Sequence, residues 1–267
     1  MTKRLFDSHT HLNSEELLED IDGVTERIRE SELRYVMNVG FDLESSRLAV
    51  KQARQYEWCY AAVGCHPHDV KGMREEDLEQ FRILAEDPKV RAIGEIGLDF
   101  YYDNSPRELQ RQWFHKQLSF ARQLRMPVII HDRDAHEETM EILKEENAFE
   151  TGVLLHCYSG SAEMARQYVK LGAMLSIPGT ITFKKAKKQI QVVEAVPLSH
   201  LLIETDAPYL TPEPFRGRRN EPAYVRYTAQ KVADILGISY EQLAEATCEN
   251  AMRFFGIGEK EKDASRG

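Results

Sequence analysis

No stretch of the sequence is a continuous apolar run of the roughly 18 residues that a membrane-crossing helix needs. The opening segment, MTKRLFDSHTHL, lacks the long apolar region and the cleavage pattern of a signal peptide. Cysteine is scarce. Cys59, Cys65, Cys157 and Cys248 are the only four, and no two form a CxxC pair. A cytoplasmic protein with reduced thiols is therefore expected. Positive charge is in deficit: 35 Lys and Arg stand against 44 Asp and Glu, a net charge of −9. A protein that grips nucleic acid by broad phosphate neutralisation is basic, so that class is disfavoured. A phosphate substrate whose charge is met by metal ions remains open. Repeats, low-complexity tracts and linkers are also missing. The chain reads as one domain over residues 1–257, with a charged, mobile tail over 258–267.

The remaining composition is that of a folded globule. Hydrophobic residues make up 42% and charged residues 30% of 267, ample to bury a core without staples. Eight short apolar runs stand out: Arg4–Ser8, Tyr35–Val39, Cys59–Val63, Val90–Gly94, Pro127–Ile130, Gly152–Leu155, Ala173–Ile177 and Leu201–Glu204. Between them lie charged stretches with helical spacing. Examples are Glu44–Tyr56, Arg74–Glu86, Ala135–Glu146, Ala162–Leu171, Pro222–Leu236 and a final helix over Ser239–Phe254. The Ser105-Pro106-Arg107-Glu108 segment reads as a capping box with proline at the first helical position. A basic amphipathic helix is expected over Thr182–Val193. Strand and helix alternate regularly, which implies a parallel sheet of βαβ units. Eight units predict an α/β fold of the (β/α)8 TIM-barrel type with a C-terminal helix; an open doubly wound sheet is the alternative.

The histidines carry the most information. Of nine, six stand at or just beyond the C-terminal end of a predicted strand: His9, His11, His66, His68, His131 and His156. Glu95 and Asp206 hold equivalent places after the fourth and eighth runs. In parallel α/β folds those ends build the active site. Each residue alone is an unremarkable polar strand exit. Together they form a biased set, because strand exits otherwise favour Gly, Asn and Ser. In His9-Thr10-His11 both imidazoles point one way along an extended chain, and Asp7 shares their parity, so it is a candidate to orient them. Imidazoles and carboxylates in this number exceed what one open tetrahedral site uses. Two divalent ions sharing a carboxylate are expected, with Glu95 as the bridge. Imidazole-rich ligation suits zinc or manganese; carboxylates with a phosphate substrate suit magnesium or manganese.

The segments DSHTHL, VGCHPH, GEIGLDFYY, PVIIHDR, LHCYSG, ETDAPYLTP and RGRRNEP resemble the motifs of the TatD family of metal-dependent deoxyribonucleases, within the amidohydrolase superfamily. The resemblance runs from Phe6 to Phe255. It implies a TIM barrel of the metallo-dependent hydrolase type whose metal ligands are His9, His11, Glu95, His131, His156 and Asp206. It implies a hydrolase of DNA phosphodiester bonds that shortens single-stranded ends in the 3′-5′ direction, using a hydroxide generated on the ions. Asp206 is then placed to act as general base, with Glu95 completing the catalytic pair.

Four further residues are candidates for substrate binding. His66 either contacts the scissile phosphate and leaving group or is a loop histidine bonded to backbone. Arg133 shares parity with His131 and could reach a phosphate. Arg216 and Arg219 lie after the eighth strand, where TIM barrels often bind phosphate. Glu204 is a candidate acceptor behind the ligands. Tyr101 and Tyr102 could stack on bases, but packing against the barrel rim is the expected role, and Cys65 and Cys157 are expected to be small buried residues. The competing reading is a superfamily hydrolase acting on a cyclic amide, lactone or phosphotriester. Many such relatives bridge their ions through a modified lysine; here Glu95 takes that place. A non-enzymatic metal-binding or partner-binding protein is the third reading. Nothing points to a membrane or a protein partner.

Overall fold

The computed structural model describes residues 2–258. The tail expected over 258–267 lies, apart from Gly258, outside the described residues. Eight parallel strands pair strictly in chain order. They are β1 (Leu5–Thr10), β2 (Leu33–Val39), β3 (Cys59–Val63), β4 (Val90–Asp99), β5 (Val128–Arg133), β6 (Val153–Leu155), β7 (Met174–Ile177) and β8 (Leu201–Ile203). The helices are α1 (Glu15–Leu18), α2 (Ile21–Glu30), α3 (Leu43–Gln55), α4 (Glu75–Ala85), α5 (Arg107–Leu124), α6 (His136–Glu145), α7 (Ala162–Lys170), α8 (Lys187–Ala195), α9 (Val225–Leu236) and α10 (Tyr240–Phe254). Among the described residues no helix is long and apolar enough to cross a membrane.

Two helical expectations change. Ser105 does not cap α5: the helix begins at Arg107, with Pro106 as its N-cap residue. The buried Ser105 hydroxyl instead donates to the His68 carbonyl at 2.7 Å and accepts from the Lys71 N–H. Tertiary bonds to the β3 loop outcompete the local cap. The basic segment after β7 opens with a 3-10 turn over Gly179–Thr182, and its helix starts only at Lys187.

The strands are covered on both faces, which is why they read as unbroken apolar runs. Phe6, Met37, Ala62, Ala92, Ile129, Leu154 and Leu202 form an inner core. Leu5, Val36, Ile93, Val128, Ile130 and Leu155 face the surrounding helices. Each fully buried aliphatic or phenyl side chain contributes about 1.5–3 kcal/mol. The end of α10 and the residues that follow it plug the inner core from below: Ala251, Phe255 and Ile257 join it, and Phe255 stacks on Phe6 at 5.7 Å.

The barrel closes at a seam between β1 and the segment after β8. The Asp206 N–H donates to the His9 carbonyl at 2.9 Å, and the His11 N–H donates to the Ala207 carbonyl at 2.8 Å. Thr10 and Ala207 form a parallel bridge. Asp7 clamps the same seam. Its Oδ1 accepts the Thr205 N–H at 2.8 Å and its Oδ2 the Thr205 hydroxyl at 2.5 Å. Asp7 therefore serves the closure and bonds no imidazole ring, contrary to its expected role. The parity argument fails because β1 slips register: from Asp7 to Thr10 it advances three residues while β2 advances two, from Val36 to Asn38. The irregularity turns His9 and His11 inward from a parity that faces outward lower in the strand.

The same device operates in β4. Between Ile93 and Ile96 it advances three residues while β5 advances two, from Val128 to Ile130. Ile93 and Ile96 consequently both face the outer core, and Glu95 turns inward. Glu95 lies inside a strand that runs on to Asp99, rather than just beyond its end. Past the slip, β4 and β5 approach closely at Gly97. Its φ is +147°, and a Cβ there would lie 1.9 Å from the His131 carbonyl oxygen. Gly97→Ala is expected to cost about 3 kcal/mol or more through clash and backbone strain. Gly72→Ala, where nothing lies within 4 Å, should stay within about 0.5 kcal/mol of wild type. Paired thermal melts check both.

Candidate active site

The strand ends deliver their polar residues to one point. Glu95, only 3% exposed, stands at its centre. Its Oε1 lies 2.8 Å from His131 Nδ1, 2.8 Å from His156 Nε2 and 3.6 Å from His66 Nε2. Its Oε2 lies 3.3 Å from His9 Nε2 and 3.8 Å from His11 Nε2. The two nitrogens of the His9–His11 pair face each other at 3.2 Å. Asp206 Oδ1 closes that side, 3.5 Å from His11 Nε2 and 3.8 Å from His9 Nε2. All six residues expected as ligands thus meet, and His66 meets with them. Three overlapping donor groups result: His9–His11–Asp206, His9–Glu95–His156 and His66–Glu95–His131, each with its atoms within 4.8 Å of one another.

Behind the ring nitrogens sits a layer of acceptors that fixes which nitrogen faces inward. The Val39 carbonyl takes the His11 Nδ1–H at 2.9 Å, leaving Nε2 free for the centre. Glu204, fully buried, stands 3.4 Å from His156 Nδ1 while accepting the Cys157 N–H at 2.7 Å. Glu204 thus stands behind the His156 ring. Asp99 holds His131 Nε2 at 3.0 Å and His68 Nε2 at 2.8 Å through a single oxygen. Its other oxygen accepts the N–H groups of Tyr101 and Tyr102. Asp99 is not among the residues expected from the sequence. Its spacing of four from Glu95 puts both on one face of a strand, but the apolar run that marks the strand in the sequence stops at Gly94, five residues short of the strand's end. His66 differs from the others. Its Nδ1 accepts the His68 N–H at 3.1 Å, so in the neutral ring Nε2 carries the proton and points at Glu95.

Charge explains the pKa shifts. Burial alone would raise Glu95, but the imidazoles of His156, His66 and His9 hold it well below the usual carboxylate range. Burial opposes protonation of His131, yet the bonds to Asp99 and Glu95 prevail and push it up to about 9. His156 is likewise raised against its burial, by Glu95 and Glu204. Burial and the neighbouring His131 lower His66, and burial and His156 lower His9. Asp206 stays low despite burial because His11 bonds it. Buried carboxylates at this density need cations close by. Imidazolium protons supply them in the bare chain, and divalent ions among the same N and O donors would do so more fully. The donor set therefore fits metal ions.

The remaining expected residues spread around the rim. Arg133 stacks over Tyr101 and Tyr102, 4.2 and 4.8 Å from their ring centres. Both tyrosines are exposed, at 57% and 54%, so they do not pack into the rim as expected. Their backbone is anchored by Asp99, which leaves the rings outside. Arg216 lies over the Phe183 ring at 4.3 Å. Arg219 is engaged by the Glu16 carbonyl and Asp20, both at 2.9 Å. Among the described residues, neither bonds a member of the cluster. Cys65 is buried as expected while Cys157 is only partly buried; both thiols are pushed up by desolvation and take no part.

A parallel eight-stranded barrel carrying histidines and carboxylates at its C-terminal mouth defines the class of (β/α)8 metal-dependent hydrolases. The profile of the TatD related DNase family matches residues 6–256, and the chain belongs to that family. It is 46% identical over 253 residues to YabD of Bacillus subtilis, an uncharacterized metal-dependent hydrolase, covering 95% of this chain and 99% of that one. It is 37% identical over 259 residues to the 3′-5′ ssDNA/RNA exonuclease TatD of Shigella flexneri, again covering 95% and 99%. The crystal structure of YjjV, a TatD homologue from Escherichia coli, superposes with a TM-score of 0.90 at 29% identity, covering 96% of this chain and 100% of that one. This chain is a metal-dependent hydrolase.

Asp99→Asn should loosen both His131 and His68 without removing a donor from the centre. Metal affinity, followed by titration of the metal-stripped protein, is expected to fall roughly 10- to 100-fold. Unchanged affinity would show that Asp99 only supports the loop.

Proposed function

We propose that this chain hydrolyses DNA phosphodiester bonds and shortens single strands from the 3′ end, with two divalent ions, magnesium, manganese or zinc, at the cluster. The observation that carries the reading is the position of Glu95. One buried carboxylate faces the His9–His11 pair with one oxygen and His131 and His156 with the other. His9, His11, Glu95 and Asp206 would hold one ion, and Glu95, His131 and His156 the other. Bound there, the ions would neutralise phosphoryl oxygens and acidify a water.

The chain's own residues supply the rest. Asp206 is held low in pKa, and its side chain is 14% exposed against 4% for Glu95, so it faces the open side of the cluster. It takes the proton of the attacking water as general base. His66 has its proton on Nε2 and faces the same centre, which suits it to contact the phosphate or protonate the leaving oxygen. Arg133 stands at the same rim. The match to a relative named as a 3′-5′ ssDNA/RNA exonuclease supports the substrate class and polarity. The four free thiols suit a cytoplasmic place of action.

Two results test this. A chelator should abolish the laddered shortening of a 5′-labelled single-stranded oligonucleotide, and added manganese or magnesium should restore it. Asp206→Asn should lower kcat about 10²- to 10⁴-fold, with metal content measured alongside. An Asp206→Asn protein that keeps both its metal and full activity would refute the assignment.

A further inference from the structure

Three tyrosines, Tyr101, Tyr102 and Tyr209, are the exposed large aromatics among the described residues, and all three border the cluster. Tyr101 and Tyr102 follow β4. The Tyr102 ring lies 5.5 Å from His68, which shares Asp99 with His131. Tyr209 follows β8, 52% exposed, with its ring 6.3 Å from His11 in an edge-on contact. β4 and β8 are four strands apart in an eight-stranded barrel, so the two groups face each other across the mouth.

Their backbones are fixed while their rings stay more than half exposed. The Tyr101 and Tyr102 N–H groups are bound at 3.0 and 2.8 Å by Asp99 Oδ1. The Tyr209 N–H donates to the Asp206 carbonyl at 2.8 Å, and its own carbonyl accepts from Asn220. Arg133 covers one side of the Tyr101–Tyr102 pair and adds a planar cation. Single exposed apolar residues need no explanation. The confinement of every exposed aromatic ring to the edge of one polar cluster does.

We propose that these rings form a two-sided stacking clamp for nucleobases: Tyr101, Tyr102 and Arg133 receive a base on one side of the bond to be cleaved, and Tyr209 receives a base on the other. The inference rests on the nuclease reading and names how that substrate is held. A net charge of −9 leaves little for the long-range attraction that usually gathers nucleic acid. Stacking needs no net charge, and every base offers a π face, so the clamp takes any sequence. Base faces are accessible in a single strand and covered in a duplex, which selects the single strand.

The test measures KM and kcat of the metal-loaded enzyme on a single-stranded oligonucleotide and on one with abasic residues flanking the cleaved bond. Tyr101→Ala with Tyr102→Ala, and separately Tyr209→Ala, should raise KM on the normal oligonucleotide about tenfold. The corresponding Phe variants should restore it. On the abasic strand, Ala variants and wild type should behave alike. Unchanged KM, or an equal loss on normal and abasic strands, overturns the clamp while leaving the nuclease reading intact. A wild-type enzyme that leaves every oligonucleotide whole overturns both.

Discussion

A single buried carboxylate sets the terms for this molecule. Glu95 sits almost out of water with histidines on every side. An isolated carboxylate in such a place would take up a proton rather than stay charged. It stays charged only because β1, β3, β5 and β6 each bring a nitrogen to it. Those strands are distant in sequence and adjacent only when the barrel is closed. Fold and site are thus one constraint: an open sheet would leave the carboxylate uncompensated, and a barrel without the carboxylate would crowd five imidazoles against one another.

The fold meets that constraint through irregularity rather than repetition. A regular strand alternates its faces, and both β1 and β4 would then send the wrong parity inward at the height of the site. A register slip in each corrects this, between Asp7 and Thr10 and between Ile93 and Ile96. The slips serve different neighbours. In β1 the residue left outside, Asp7, becomes the clamp of the seam with Thr205, and that seam carries Asp206 to His9. In β4 the strand gains length past the slip, so Glu95 and Asp99 both face His131. One bulge closes the barrel, and the other doubles the acidic contacts of a single imidazole.

The contrast between what the sequence disclosed and what it hid follows from the same physics. Strand positions were legible because parallel strands covered on both faces are plain apolar runs, as in Pro127–Ile130 before His131. Clustering of histidines and carboxylates at strand ends was legible because chain order alone puts those ends at one mouth. Side-chain direction past a slip was not, since it depends on the partner strand; Asp7 lies at the seam rather than beside the imidazoles for that reason, and Asp99 stands past the end of the apolar run that marks β4 in the sequence. Ser105 looked like a helix cap because its local pattern is one, and only the folded β3 loop offers it better partners. The exposure of Tyr101 and Tyr102 was equally hidden, because it follows from Asp99 binding their backbone.

On the proposed nuclease reading an acidic protein meets an anionic substrate, a problem that Arg216 and Arg219 do not solve. Arg219 is committed to Asp20 and Arg216 lies on Phe183. On that reading the positive charge beside the cleaved bond comes from the raised imidazoles of His131 and His156 and from the cations the cluster would hold. Such a centre attracts phosphate over a short range only, because carboxylates surround it and salt screens beyond roughly 8–10 Å. Affinity must then come from groups that do not depend on charge, and the aromatic rim is the available surface. A weakly held strand also leaves readily. For the end-directed nuclease proposed above, each cut makes a new end, and repeated release and rebinding costs little when binding rests on stacking rather than on long-range charge.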